Sequence, residues 1–130
     1  IKKEGYNFDM ICAHDWLSAM AGTMIKQETS LPFVFHLHST EWGRSLDGGS
    51  ETVLHIEKTA ADVADRIITV RYPMEEDLIR HGFDPDKTKV CWNGIRVDKY
   101  DPKRLAPGDI TGLRSRYGVG PEERLDTVCW

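Results

Sequence analysis

The residues equipped for chemistry in this sequence stand where short apolar runs stop. His14 and Asp15 follow one such run, His38 and Ser39 a second, Arg71 a third, and Asn93 with Gly94 a fourth. His36 and His38 are two apart on a strand-like segment, so both side chains leave the same face. With His14 and Asp15 at a neighbouring strand end they make a candidate metal site of a hydrolase, because neutral imidazole is a good zinc ligand. No acidic or cysteine ligand falls in an accompanying motif. Histidines that cap strand ends through hydrogen bonds explain the same spacing.

The elements that must position these groups follow from periodicity. Met10 to Ala13 is an unbroken apolar run and reads as a buried strand. Trp16, Leu17, Met20, Ala21, Met24 and Ile25 then recur at helical spacing, with Asp15 as the expected N-cap. A second strand is expected over Phe33 to His38, introduced by Pro32, and a polar loop from Ser39 to Ser50. A helix fits from Glu51 to Ala64, with Val53, Ile56, Ala60 and Ala64 on one face and Ser50 as cap. Arg66 to Val70 is a β-branched strand, Pro73 opens a short helix closed by Gly82, and Lys89 to Trp92 is a fourth strand ending at Asn93–Gly94. Strands alternating with helices indicate a parallel sheet covered by helices on both faces. Such sheets bind ligands outside the carboxyl ends of their strands, which is where the polar residues named above lie.

Beyond Asn93 the apolar content falls, and Asp101–Pro102 and Pro107–Gly108 punctuate a linker-like stretch before one more helix over Asp109 to Tyr117, closed by Gly118. Six basic and three acidic residues fall between Arg96 and Arg116, either a solvated linker and helix face or a phosphate contact.

Composition excludes several classes. A net charge of −4 argues against a nucleic-acid binder, which shows a basic excess. No run of about 18 apolar residues is present to span a membrane. Cys12, Cys91 and Cys129 are odd in number, far apart and without zinc-ligand spacing, which suits a reducing cytoplasm. Cys12 and Cys91 fall in apolar strand-like runs and are expected to behave as small hydrophobes.

Four motifs in order, His14-Asp15-Trp16, His38-Ser39-Thr40-Glu41-Trp42-Gly43-Arg44, Ile68-Thr69-Val70 and Trp92-Asn93-Gly94-Ile95, resemble the glycogen synthase-like glycosyltransferases of GT-B architecture. The likeness runs from about Tyr6 to Gly118. It implies a hexosyltransferase that moves glucose from a nucleotide-diphosphate sugar (ADP-glucose or UDP-glucose) to an α-glucan acceptor with retention of configuration, without a metal or other cofactor. It also implies that His38 lies beside the transferred sugar, that Asn93 and Gly94 stand near the same sugar at the cleft edge, and that His14, Asp15, Trp16, Ser39, Glu41 and Arg44 line the N-terminal side. The chemistry suits those positions. A departing nucleotide diphosphate leaves an oxocarbenium-like sugar, so hydroxyls must be held and water kept away. His and Asn each offer a donor and an acceptor without a permanent charge. Trp16 and Trp42 suit either a sugar face or packing between helix and sheet.

The implied fold is α/β: a partial Rossmann-like parallel sheet forming the C-terminal half of a GT-B N-terminal domain over 1–92. An interdomain linker over 93–108 and the truncated start of the second domain over 109–130 follow. The family's first strand and glycine-rich turn, and the second domain's diphosphate-binding residues, have no counterpart in the sequence, nor does position 1 carry Met. The expectation is a fragment inactive by itself, with a truncation or lost reading frame near Leu125 accounting for its ending. Arg71 and Arg96 depart from the small hydroxyl residue and the Asp common at those family positions. Missing neighbours would expose a sheet edge and favour self-association. A glucan-binding or structural fragment without catalysis is the alternative, with the metal-dependent hydrolase using the His-x-His strand behind it.

Overall fold

The computed structural model describes residues 7–124; Ile1 to Tyr6 and the tail from Leu125 to Trp130, with Cys129, lie outside them. The chain divides into two compact units, Ile1–Asn93 and Gly94–Trp130. In the first, β1 (Ile11–His14), α1 (Asp15–Glu28), β2 (Phe33–Leu37), α2 (Glu41–Arg44), α3 (Glu51–Val63), β3 (Arg66–Thr69), α4 (Tyr72–Arg80) and β4 (Thr88–Val90) follow in order. Strands and helices alternate as expected, except that α2 falls in the expected loop and β4 stops at Val90 rather than Trp92. The strands form one parallel sheet in the order β1-β2-β3-β4. The Rossmann-like α/β class read from the sequence is therefore the observed one.

Its cover is one-sided among the described residues. Each crossover steps to the next strand in the same direction, and crossovers of one hand then place their helices on one face. Ala13, Phe33, Phe35, Leu37 and Ile67 from that face share a single core with Ala19 of α1, Ala60 and Ala61 of α3, and Met74 and Leu78 of α4. The opposite face carries Cys12, His14, Val34, His36, Arg66 and Ile68, all half-buried or exposed. The expectation of helices on both faces is met there on one face only.

Packing also reassigns the first helix. Its buried residues are Ala19, Gly22 and Thr23, while Leu17, Met20 and Met24 are exposed. Small residues let α1 approach the sheet so closely that a Cβ at Gly22 would stand 2.8 Å from the Phe33 ring. Met10 is exposed and only Ala13 of the first run is buried; Cys12 and Cys91 are exposed thiols rather than core hydrophobes. Neither expected cap forms. Asp15 and Ser50 make no side-chain cap bond to their helices, and the 39–50 loop contains α2, capped instead by Thr40, whose Oγ1 accepts from the Gly43 amide at 3.3 Å. Gly82 closes α4 at φ +80° as expected, a conformation that glycine adopts without strain.

The second unit holds a 3-10 turn (Pro102–Arg104) and α5 (Pro107–Arg116). The Asp101 side chain caps the turn through the Lys103 amide at 2.9 Å. Arg96 is taken up by Asp98 at 2.5 Å, and Arg114 donates to the carbonyls of Gly120 and Glu123. Among the described residues no helix is long and apolar enough to cross a membrane.

Candidate functional site

The parallel register sets His14 beside His36, and the two-residue period puts His38 on the same open face. The three rings form a cluster with centroids 4.3–5.2 Å apart. His14 Nδ1 and His38 Nε2 share a hydrogen bond of 2.9 Å, and Cys12 Sγ lies 3.5 Å from the other nitrogen of His14. His36 Nε2 is buried without a hydrogen-bond partner. Burial, and then the neighbouring His38 and His14, hold the His36 pKa below its ordinary value, so this ring is neutral near pH 7.

Asp15 ties the two strand ends together. Its backbone sits at φ +52°, a left-handed conformation that Asp visits more readily than most residues but that still costs on the order of 1 kcal/mol. From there its Oδ1 accepts the backbone N–H groups of His38 at 2.8 Å and Ser39 at 3.3 Å. The carboxylate expected to cap α1 is thus spent across the sheet. Ser18 takes over locally, its hydroxyl accepting from the His14 amide and donating to the His14 carbonyl, both at 2.6 Å.

The next part of the loop hangs on a residue that sequence reasoning missed. Glu57 of α3 is fully buried (0% exposed), and both its oxygens stand 3.1 Å from the Glu41 amide. Arg44 joins the group, donating to Glu57 at 3.2 Å, to Glu41 at 3.0 Å and to Ser39 Oγ at 2.6 Å. The Ser50 amide, followed by Arg44, holds the Glu41 carboxyl below its ordinary range. Burial pushes Glu57 the other way, against the pull of the Glu41 amide and Arg44. The one sequence signal for this role was position: Glu57 adjoins Ile56 and precedes Ala60 and Ala61 on the apolar side of α3.

A cleft of about 370 Å³ opens beside this loop at the ends of β2 and β3, lined among others by Ser39, Thr40, Arg71, Asp77 and Arg80. Trp42 is committed to packing. Its Nε1 donates to Asp77 at 2.5 Å, and its ring stacks on His81 at 4.2 Å and meets Phe83 edge-on. The structure therefore brings His14, Asp15, His38, Ser39, Glu41 and Arg44 into one connected group. Trp16 is half-buried in the first turn of α1. Asn93 is exposed beyond β4, two strands away from β2. Gly94 belongs to the second unit. The connected group offers rigidly held donors and acceptors with nearby cationic side chains, a surface fit for hydroxyl-rich or anionic ligands.

Comparison with known proteins bears on the family and the fold. Residues 1–99 match the family described as Glycosyltransferase Family 4. The chain is 30% identical over 117 residues to an alpha-maltose-1-phosphate synthase of Mycolicibacterium smegmatis, covering 85% of this chain and 30% of that protein. It is 28% identical over 124 residues to a D-inositol 3-phosphate glycosyltransferase of Geodermatophilus obscurus, covering 89% of this chain and 26% of that one. The crystal structure of HepE from Anabaena in complex with UDP-glucose superimposes with a TM-score of 0.71 at 27% identity, covering 85% of this chain and 29% of HepE. The chain thus spans about a third or less of the relatives that it matches.

Proposed function

The chain belongs to Glycosyltransferase Family 4, and we propose that it supplies the N-terminal wall of the cleft in a retaining enzyme that moves glucose from ADP-glucose or UDP-glucose to an α-glucan. The observation that carries this reading is the clamp of Asp15 on the His38–Ser39 backbone at the carboxyl end of the sheet. It holds His38 where a parallel sheet presents ligands, as transfer through an oxocarbenium-like state requires. His38 orients a hydroxyl of the transferred sugar, and Ser39, with Arg44 behind it, continues the same wall. His14, Trp16, Glu41 and Asn93 belong to this proposed lining. UDP-glucose in the HepE structure supports a nucleotide-sugar donor. The exposed free thiols Cys12 and Cys91 accord with a cytoplasmic setting.

The test is an amide-shift titration of the 130-residue chain with UDP-glucose, ADP-glucose and a maltooligosaccharide. Saturable shifts centred on His38, Ser39 and Glu41 are expected; no shift with any of the three at millimolar concentration overturns the reading. The isolated chain should not transfer glucose to glycogen, and measurable transfer by pure protein would contradict that. The outer edges of β1 and β4 have no further strand beside them among the described residues, so the chain should self-associate in sedimentation; a clean monomer contradicts it.

A second reading concerns the acceptor. Arg71, exposed, lines the cleft with Ser39 and Thr40. Glu76 shares the lining and Arg80 is paired with Asp77 at 3.0 Å, so Arg71 is the cation that would meet a phosphorylated sugar in place of a neutral glucan. The names of both curated relatives contain a sugar or inositol phosphate. A sugar phosphate that shifts Arg71 side-chain signals more strongly than a maltooligosaccharide would select this reading.

A further inference from the structure

We propose that His14, His36 and His38 form a binding site for a divalent transition-metal cation on the open face of the sheet. The cation is assigned no part in sugar transfer.

One imidazole nitrogen from each of these residues lies within 4.8 Å of the others. A tetrahedral site with metal–nitrogen bonds of about 2.0–2.1 Å needs its nitrogens about 3.3 Å apart. His14 Nδ1 and His38 Nε2, at 2.9 Å, already stand near that spacing. The third ring closes the remaining distance by rotation about χ2, which is soft for histidine. The shared proton between His14 and His38 is what a cation would replace.

A further observation points to a ligand. His36 Nε2 is a buried polar atom with no partner, and such atoms in native proteins call for an explanation, an ion among them. The second nitrogen of His14 faces Cys12 Sγ, a weak acceptor, at 3.5 Å, which leaves Nδ1 as the nitrogen turned toward the other rings. Asp15 provides a negative charge near His36 while its Oδ1 stays engaged with the His38 and Ser39 amides. The ligand set is then three nitrogens with a position left for solvent, a donor set that suits zinc, copper or nickel over magnesium or calcium.

The experiment is a titration of the full 130-residue chain with cobalt(II) at neutral pH, read by visible ligand-field absorption, followed by displacement with zinc. One equivalent with a spectrum of low coordination number is expected. His36→Asn should weaken binding by at least roughly 100-fold, the upper end of the loss seen when only an outer-shell partner is removed. His14→Asn alters an exposed ring and should weaken it similarly, which keeps the test decisive if the His36 variant fails to fold. His81→Asn, outside the cluster, should leave binding unchanged. Failure to bind one equivalent at micromolar cobalt, or binding that survives His14→Asn but falls with His81→Asn, overturns the proposal. None of these outcomes depends on sugar binding, so the two readings fail separately.

Discussion

The carboxylate of Asp15 accepts the backbone N–H of His38 at 2.8 Å, bridging the ends of two neighbouring parallel strands from a left-handed backbone conformation. Replacing Asp15 by Ala keeps the strained φ and removes both accepted hydrogen bonds. A loss of about 2 kcal/mol is expected, because hydrogen bonds to charged groups contribute about 1.5–3 kcal/mol. Asn retains an oxygen acceptor and tolerates the conformation, so Asp15→Asn should cost under about 1 kcal/mol. Hydrogen exchange at the His38 and Ser39 amides reads the difference, and equal protection in both variants would show that the clamp is not formed in solution.

Glu57 should be the most sensitive polar position in the first unit. Glu57→Ala leaves the Glu41 amide and one face of Arg44 without their partner. Breaking a buried charged pair from one side costs about 3–5 kcal/mol, and the partial exposure of Arg44 (33%) places the expectation at the lower end, about 3 kcal/mol. Urea unfolding measures it; a change under about 1 kcal/mol would mean the network contributes little.

Asp65 sets an acid-side dependence. Its Oδ2 accepts from Lys26 and from the Phe33 amide, each at 2.7 Å, and these, Lys26 first, hold its pKa below the ordinary value. A carboxyl depressed in the folded state stabilises above its unfolded pKa and loses that contribution as pH falls through the folded value. Stability should therefore decline as pH drops below about 4, and Asp65→Asn should flatten that part of the profile. Because the side chain is 48% exposed, the neutral-pH effect is expected near 1 kcal/mol. An unchanged acid limb in the variant would assign the decline to other carboxyls.

Gly22→Ala tests the close approach of α1 to the sheet. The added methyl meets Phe33 Cε2 and Cζ at 2.8 Å and Ala13 Cβ at 2.9 Å. In an exposed helix the same change stabilises by close to 1 kcal/mol; here overpacking should outweigh that and destabilise by about 1–2 kcal/mol. A rise in melting temperature would show that the helix can shift away freely.

Much of this protein is legible in its sequence alone. Apolar runs of strand length alternating with helical periods determine the parallel sheet, and Pro73 and Gly82 bracket α4 as their backbone preferences require. The same pattern places His14, Asp15, His38 and Ser39 at strand ends, and the order of their motifs points to the glycosyltransferases. These are local properties: the period of side-chain directions, the stiffness of proline and the permissiveness of glycine act within a few residues of chain.

Tertiary structure decided the rest. The two-residue period says that His36 and His38 share a face, but whether that face is covered depends on strand order and crossover hand, which are relations between distant segments. Asp15 reads locally as a helix cap, and only the approach of β2 gives its carboxylate a better partner 23 residues away. Glu57 gains its partners only when α2 folds over it and supplies the Glu41 amide and Arg44. In each case a polar group had a local choice of water or backbone, and burial against a non-local neighbour removed the water from that choice.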